Sequence, residues 1–387
     1  MMLNRRKFVS FLGSLSVFSM SPSLLTAANS SSKFLILVEL QGANDGLNTV
    51  IPYKRKQYYK LRPSIAINSK DILTITKDTG FHPSFVNIAK LFERGECKVV
   101  EGLGYPQPIL SHFESIELWE RGGDGLHLPR NGWLIDPIES LVNNTRYDAK
   151  AMFLDDEGAI FHGGDEGYLG PKALNQRFFD DLENINTLSL ASPNSTGGLL
   201  KTLQTKNASA KEAMKRLNRK LDNVRRNISI KGGDLGMQLS QVCAMVEAGI
   251  DMPVFKVSIG SFDTHDNQPR EHARLLSNLD YALSDTVEFL KSIGRFQDAI
   301  IMTYSEFGRR ARENGSSGTD HGMAAPHLVL GGKVNGGLYG KSPSLSNLDH
   351  DNLLFTTDYR SLYNMILSEH FSLKTNPFEP YKYTHIV

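Results

Sequence analysis

The stretch Lys33-Phe-Leu-Ile-Leu-Val-Glu-Leu-Gln41, followed by Gly42-Ala-Asn-Asp-Gly-Leu-Asn48, decides the fold. Its first half is an almost unbroken apolar run, which is typical of a strand buried on both faces of a sheet. Its second half is rich in Gly and Asn and predicts a turn-forming loop. Open α/β sheets bind ligands in the loops that follow the carboxyl ends of their strands. The segment therefore predicts a buried strand that leads into a ligand-binding loop.

Strands and helices alternate along the rest of the chain. Apolar residues at helical spacing predict helices over 83–94, 111–121 and 270–293. Short apolar runs predict strands over 97–103, 254–258, 299–304 and 326–330. This alternation predicts an α/β fold with a mostly parallel central sheet flanked by helices on both faces.

Composition excludes several classes of protein. The chain has 387 residues, with 43 Lys or Arg, 42 Asp or Glu and a formal charge of +1. This even balance argues against a general nucleic-acid binder, which needs a basic surface. Cys97 and Cys243 are too few for a disulfide framework or a Cys-rich zinc site, and whether they pair with each other stays open.

The amino terminus has the pattern of an export signal. Arg5, Arg6 and Lys7 precede an apolar run over 8–25, and small residues follow at about Ala28. The adjacent arginines indicate the twin-arginine export machinery. Serines interrupt the apolar run, which argues against the alternative of a membrane anchor. We expect cleavage of residues 1–28, no stable membrane span afterwards, and a slightly acidic domain over 29–387 in the periplasm or secreted.

A basic segment interrupts the alternating pattern at about residues 201–231. Lys and Arg far outnumber acids there, and apolar residues at helical spacing predict a helix with one packed stripe. The segment is interpreted as a solvated helix face or, alternatively, as a basic wall beside a polyanionic substrate.

Candidate metal ligands follow the predicted strands. Carboxylates and imidazoles at strand ends can converge over one edge of a parallel sheet. Mixed nitrogen and oxygen ligands suit a divalent metal such as zinc, manganese or magnesium. The candidate ligands are Asp45, Asp263, His265, Glu306, Asp320 and His321.

Ser111 and His112 are the candidate catalytic residues. Ser111 lies at the predicted start of a helix, where free backbone N–H groups favour an anion, and a hydroxyl near a metal can become a nucleophile. Alternatively, Ser111 is an N-cap, and Glu114 completes a capping box. His112 is either a ligand or a hydrogen-bond donor to phosphate. Arg309 and Arg310 either bind an anionic group or pair with nearby acids.

Several motifs, in this order, resemble one known family, the domain-of-unknown-function 1501 (DUF1501) family. This family is placed among alkaline phosphatase and sulfatase-like proteins, and its substrates are largely not established. The resemblance covers nearly the whole chain beyond the signal. The motifs are Leu-Gln-Gly-Ala-Asn-Asp-Gly-Leu-Asn (40–48), Gly-Tyr-Pro (104–106), Ser-His-Phe-Glu-Ser (111–115), Phe-Asp-Thr-His-Asp-Asn-Gln (262–268), Ser-Glu-Phe-Gly-Arg-Arg (305–310) and Gly-Thr-Asp-His-Gly (318–322).

The resemblance implies an alkaline-phosphatase-like fold with two metals and a nucleophile at a helix start. Ser111 matches the nucleophile, and Asp263, His265 and His321 match the ligands of one metal. The second metal site departs from the superfamily pattern. Gln41-Gly42 stands where an Asp-Gly is usual, so that Asp45 is the nearest acid, and Glu306-Phe307 stands where an Asp-His is usual.

These observations together predict an exported metal-dependent hydrolase of phosphate or sulfate esters, with a small or polymeric anionic ester as substrate. Two alternatives remain open. One is a non-catalytic exported binding protein that keeps the fold with a degenerate metal site. The other is single-metal chemistry on a different substrate, because one metal can activate water without a nucleophile.

Overall fold

A computed structural model describes residues 32–142, 147–155, 158–164, 167–170, 217, 219–221, 228–374 and 376–383. The predicted signal over 1–28 and most of the basic segment over 201–231 lie outside the described residues.

The strands of the described residues include one large sheet and several two-residue ladders. In chain order they are β1 (Phe34–Leu40), β2 (Val50–Ile51), β3 (Leu73–Thr74), β4 (Gly80–Phe81), β5 (Cys97–Gly104), β6 (Ala151–Phe153), β7 (Tyr168–Leu169), β8 (Val254–Ile259), β9 (Ala299–Tyr304), β10 (Gly308–Arg309), β11 (His321–Gly322), β12 (Ala325–Gly331), β13 (Gly337–Tyr339), β14 (Leu348–Asp349), β15 (Asn352–Leu353) and β16 (Thr357–Asp358).

The helices of the described residues lie between these strands. In chain order they are α1 (Gly46–Thr49), α2 (Lys56–Leu61), α3 (Val86–Glu93), α4 (His112–Arg121), α5 (Ile135–Val142), α6 (Gly233–Glu247), α7 (Gln268–Ser292) and α8 (Arg360–Met365). Short 3₁₀ turns at Ala159–Phe161 and Phe296–Asp298, and a π turn at Ile366–His370, complete the described elements.

The central sheet is mostly parallel, as the sequence predicts. Among the described residues its strand order is β13-β5-β12-β9-β1-β8-β6-β7, with β16 also paired to β5. Strand β12 is the exception, since it runs antiparallel to both β5 and β9. The predicted strand at 326–330 is therefore present, but its direction is reversed relative to its neighbours.

Strand β1 lies inside the sheet because both of its faces are apolar. All seven of its residues are buried. Ile36 and Val38 pack in a core that contains side chains of α3, α6 and α7. Leu35 and Leu37 pack in a second core, on the opposite face, with side chains of α4, α5 and α8. Helices thus cover both faces, which confirms the predicted α/β class.

Helix α7 matches the predicted amphipathic helix closely. It begins two residues before the predicted start, with Pro269 in its first turn. Proline is tolerated there because backbone N–H groups of the first turn have no acceptor within the helix. Its predicted inward residues are all buried: Leu275, Leu276, Leu279, Leu283, Val287 and Leu290.

Two questions left by the sequence are addressed by the described residues. Cys97 and Cys243 are both buried and are not bonded to each other. No helix within the described ranges has the length and apolar character needed to cross a bilayer.

Candidate metal centre

The candidate site forms where neighbouring strands of the sheet end. Glu306 follows β9 and Asp263 follows β8, and these two strands flank β1 in the sheet. Helix α4 brings His112 to the same edge, and the short β10–β11 ladder places His321 opposite Arg309. The carboxyl edge of the parallel strands therefore gathers residues that are far apart in sequence.

The Nε2 atoms of His112 and His265 both approach the Nε2 of His321. The Nε2 of His321 lies 3.0 Å from the Nε2 of His112 and 3.0 Å from the Nε2 of His265. Oδ1 of Asp263 lies 3.5 Å, 3.0 Å and 3.4 Å from the Nε2 atoms of His112, His265 and His321 respectively. His112, Asp263 and His321 thus offer ligand atoms that all lie within 4.8 Å of one another, and His265 adjoins this group through His321 and Asp263.

The opposite ring nitrogen of each histidine meets an acceptor. Such contacts hold the ring in place and leave Nε2 directed at this group, as in carboxylate–histidine–metal arrangements. The Nδ1 of His112 lies 2.6 Å from Oε1 of Glu306, and that of His321 lies 2.9 Å from the backbone oxygen of Leu110. The Nδ1 of His265 lies 3.5 Å from Oδ1 of Asp320.

This donor set fits a divalent metal. A neutral imidazole whose Nδ1–H donates carries a lone pair on Nε2, and converging lone pairs repel unless a proton or a cation lies between them. Ligands at the usual zinc–nitrogen distance in a tetrahedral site are about 3.4 Å apart, close to the separations seen here. His112, Asp263 and His321 therefore match part of a zinc-type ligand set, which manganese also accepts, and His265 lies next to them.

Charge around the site is set by hydrogen bonds and ion pairs. The hydrogen bond to Glu306 raises the pKa of His112, whereas burial lowers the pKa of His321. Burial acts to raise the pKa of Asp263, but the neighbouring Arg309 outweighs it and holds that pKa below its usual value. The hydrogen bond from Asn314 lowers the pKa of Asp320.

The family follows from a match over most of the chain. Residues 104–368 match the family described as "Protein of unknown function (DUF1501)". The chain belongs to this family. A comparison with curated protein sequences finds no match.

Among solved structures, this DUF1501 member is similar to several proteins at low sequence identity. Ps i-CgsB has a TM-score of 0.42 at 12% identity, over 91% of this chain and 75% of that one. A protein in the alkaline phosphatase superfamily from Vibrio parahaemolyticus has a TM-score of 0.34 at 11% identity, over 81% of this chain and 63% of that one. The lipoteichoic acid synthase LtaP from Listeria monocytogenes has a TM-score of 0.30 at 10% identity, over 80% of this chain and 68% of that one.

Glu306 and Asp320 lie behind the ligand cluster. Each contacts the outward nitrogen of a histidine and neither is within the group of facing atoms. Burial acts to raise the pKa of Glu306, but hydrogen bonds from His112, Ser305 and the amide of Gly42 outweigh it and hold that pKa low. These two acids are suited to orient ligands.

Asp45 lies apart from the facing atoms. It is fully buried, caps α1 through the amide of Leu47, and pairs with the buried Arg62 at 2.5 Å. Burial acts to raise its pKa, but Arg62 outweighs this effect and lowers it. The carboxylate also accepts a hydrogen bond from Gln268. With these partners, Asp45 supports the loop after β1.

Ser111 occupies the N-cap position of α4, directly before His112. Its side chain makes no capping hydrogen bond to the first turn of the helix. The capping-box alternative is therefore absent from the structure, and the Ser111 hydroxyl is not committed to the helix.

The sequence left the roles of two candidates open. His112 was named as either a ligand or a donor to phosphate, and only the fold shows that its Nε2 meets that of His321. Arg309, one of several nearby arginines, is fully buried against Asp263, whereas the side chain of Arg310 is 39% exposed. Nothing in the local spacing separates these two arginines.

Proposed function

We propose that this protein is an exported hydrolase of phosphate or sulfate esters whose metal is held by His112, Asp263, His265 and His321. The observation that carries the proposal is the grouping of the ligand atoms of His112, Asp263 and His321 within 4.8 Å of one another, with His265 beside His321 and an acceptor behind each imidazole. A divalent metal bound there would supply Lewis-acid polarisation of the ester and a lowered pKa for a water molecule.

The protein's own residues supply orientation and charge. Glu306 fixes the ring of His112, and Arg309 holds Asp263 ionised. Metals need neutral imidazoles and ionised carboxylates. The contact with Arg309 therefore favours the metal-binding form of Asp263, whereas the contact with Glu306 orients His112 but raises its pKa, so that a bound metal takes the place of a proton there.

The choice of an anionic ester follows from residues at the rim of the site. The N-terminus of α4 lies at Ser111 and His112, and helix N-termini favour negative charge. The partly exposed Arg310, 4.0 Å from Asp320, adds a cation beside the ligand loops. An ester of phosphate or sulfate is the substrate class that this charge pattern and the resemblance to alkaline-phosphatase-like proteins support.

In this proposal the Ser111 oxygen forms a bond to the phosphorus or sulfur of the ester, its proton passes to water, and the alcohol leaves. Water then releases phosphate or sulfate and restores Ser111. Its hydroxyl is free of a capping role, and its position at the helix start favours the anion that forms when the hydroxyl loses its proton. Export through the twin-arginine route, which carries folded proteins, is the localisation that accompanies this proposal.

A non-catalytic binding protein is the second candidate, and Phe307 favours it. Its ring lies 4.9 Å from the ring of His112 and 4.8 Å from that of His321, so that an apolar side chain occupies space beside the cluster. A panel of phosphate and sulfate esters with zinc, manganese or magnesium distinguishes the two functions. Turnover that requires His321 supports the hydrolase, and metal-dependent binding without turnover supports the second candidate.

Metal analysis tests the proposal directly. The full chain is produced by export in folded form, and its metal content is measured beside His265→Ala, His321→Ala and, as a matched control, His350→Ala. His350 has a 92% exposed side chain outside the cluster. We expect bound metal in the parent and control and a loss of metal in both site variants. No metal in the parent, or equal content in all variants, contradicts the proposal.

A further inference from the structure

Arg309 is a buried cation at the edge of the candidate metal centre. Its side chain has no exposed surface, although charged guanidinium groups are rarely buried without partners. Its Nη2 lies 2.5 Å from Oδ1 of Asp263, the same oxygen that faces the three histidines. Its Nη1 is 3.5 Å from Nε2 of His265. A fixed positive charge therefore borders the ligand cluster.

Backbone oxygens of three loops complete the surroundings of this guanidinium. The loop after β1 contributes two carbonyls, the loop after β8 one, and the loop before β11 one. These acceptors are the oxygens of Gly42, Ala43 (2.8 Å), Phe262 (3.2 Å) and Thr319 (2.9 Å).

The loops after β1 and β8 approach each other closely at this point. A Cβ on Gly42, whose φ is +100°, would lie 2.5 Å from the amide nitrogen of Asp263. Ala43 follows with a left-handed φ of 63°, which is unfavourable for a residue with a Cβ. The two loops thus enclose the guanidinium at the cost of a strained backbone.

Carbonyl oxygens and a carboxylate are the ligands that hard metal cations such as calcium and magnesium prefer. In this protein the cation that these oxygens surround is the guanidinium group of Arg309. The guanidinium bonds the oxygen of Asp263 that faces the histidines and lies beside His265, so it fills the space where a second metal could share this carboxylate. Asp45, the nearest other acid of that loop, is bonded to Arg62.

We infer that Arg309 is a resident cation that takes the place of a second metal ion beside Asp263, so that this protein has a mononuclear metal centre. The inference rests on the proposed function only for the first metal. It assigns Arg309 as a positioning residue, which joins the three loops and keeps Asp263 directed at the histidines. The enclosed oxygens form a cation site only when the guanidinium is removed.

Metal stoichiometry of the unaltered full chain gives the first test. The protein is dialysed against excess zinc or manganese, and bound metal per chain is measured. We expect one equivalent, which does not rise further with metal concentration. Two tightly bound equivalents overturn the inference, whereas none contradicts the proposed function itself.

Arg309→Ala gives the second test, with Arg360→Ala as a matched control. Arg360 is also buried and pairs with Asp358 at 2.7 Å, away from the ligand cluster. Removal of Arg309 leaves Asp263 and four carbonyls without a cation. We expect the thermal midpoint of Arg309→Ala to rise with millimolar calcium and its stoichiometry to reach two cations per chain. The parent and Arg360→Ala should show neither change.

If Arg309→Ala does not fold on its own, refolding is the measurement. Recovery of folded protein with calcium, but not with sodium chloride at equal ionic strength, supports the inference. Arg309→Lys keeps a cation and should bind one metal. A folded Arg309→Ala chain that neither responds to calcium nor gains a cation, or an unfolded one that calcium does not recover, overturns the inference.

Discussion

Glu306 holds His112 in place through a 2.6 Å contact between Oε1 and Nδ1, although the two residues are 194 positions apart. The same carboxylate accepts hydrogen bonds from the amide of Gly42 at 2.8 Å and from the hydroxyl of Ser305 at 2.9 Å. Since both carboxylate oxygens are occupied and the side chain is 5% exposed, Glu306 can rotate little. The ring of His112 therefore has a fixed direction before any metal arrives.

Glu306→Gln should weaken metal binding without removing a facing ligand. The amide keeps the shape of the side chain but lacks the charge that strengthens the contact with His112. Loss of a carboxylate behind a ligating histidine typically reduces metal affinity about 10- to 100-fold. Competition with a chromogenic chelator measures the affinity. Glu101→Gln, a buried acid on β5, is the control, and equal affinity in parent and Glu306→Gln would contradict the role assigned to Glu306.

Ser111→Ala separates two ways of attacking an ester. Because the side chain makes no capping hydrogen bond, we expect the free energy of unfolding to change by less than about 0.5 kcal/mol. If Ser111 is the nucleophile, ester turnover is lost while metal content stays the same. Retained turnover would instead support attack by water and remove Ser111 from the proposed mechanism.

The fold was largely predictable because its main signals are local. An apolar run such as that of β1 can only be satisfied inside a sheet with both faces covered, and α7 carries its apolar stripe over about four turns. The direction of β12 was not predictable. The apolar run over 326–330 fits a buried strand in either direction. Its direction is set by the tertiary pairing with β5 and β9, which is antiparallel.

The sequence identifies which residues form the candidate site, but it does not identify the role of each residue. The sequence shows an acid after β1, yet it does not show that Arg62 would pair with Asp45. Glu306 and Asp263 both follow strands and have the same chemical type. Only the tertiary contacts place Asp263 among the histidine Nε2 atoms and Glu306 behind one of them.

Gln268→Ala should loosen the two loops that carry the ligands. The amide of this fully buried residue donates to Asp45, and its carbonyl accepts from Thr264 at 3.1 Å and from Thr319 at 2.6 Å. Thr264 lies between Asp263 and His265, and Thr319 lies two residues before His321. We expect a loss of stability of about 1–3 kcal/mol from the unsatisfied partners, together with weaker metal binding.

A second glutamine provides the comparison for this variant. Gln238 also uses both amide atoms, on the backbone of Ser258 in β8, and it touches neither ligand loop. Gln238→Ala should reduce stability with little effect on metal affinity. Isothermal titration of both variants with zinc measures the difference. Equal metal affinity in the two variants would show that Gln268 acts on stability alone.

His327 should make the protein sensitive to acid. Burial lowers the pKa of His327 to about 3, and its Nε2 has no hydrogen-bond partner. Between pH 6.5 and about 3, the unfolded chain binds a proton at this residue and the folded chain does not. The free energy of unfolding therefore falls as pH falls through this window, by up to about 1.4 kcal/mol per pH unit for one histidine.

His327→Leu removes this contribution, so its unfolding free energy should decline less steeply than that of the parent. Urea unfolding at intervals from pH 8 to pH 4 measures both slopes. At pH 8 the imidazole is neutral in both the folded and the unfolded state. The difference in unfolding free energy between the parent and His327→Leu at that pH therefore reports packing alone and serves as the control. Parallel curves over the whole range would show that His327 does not contribute to the acid sensitivity.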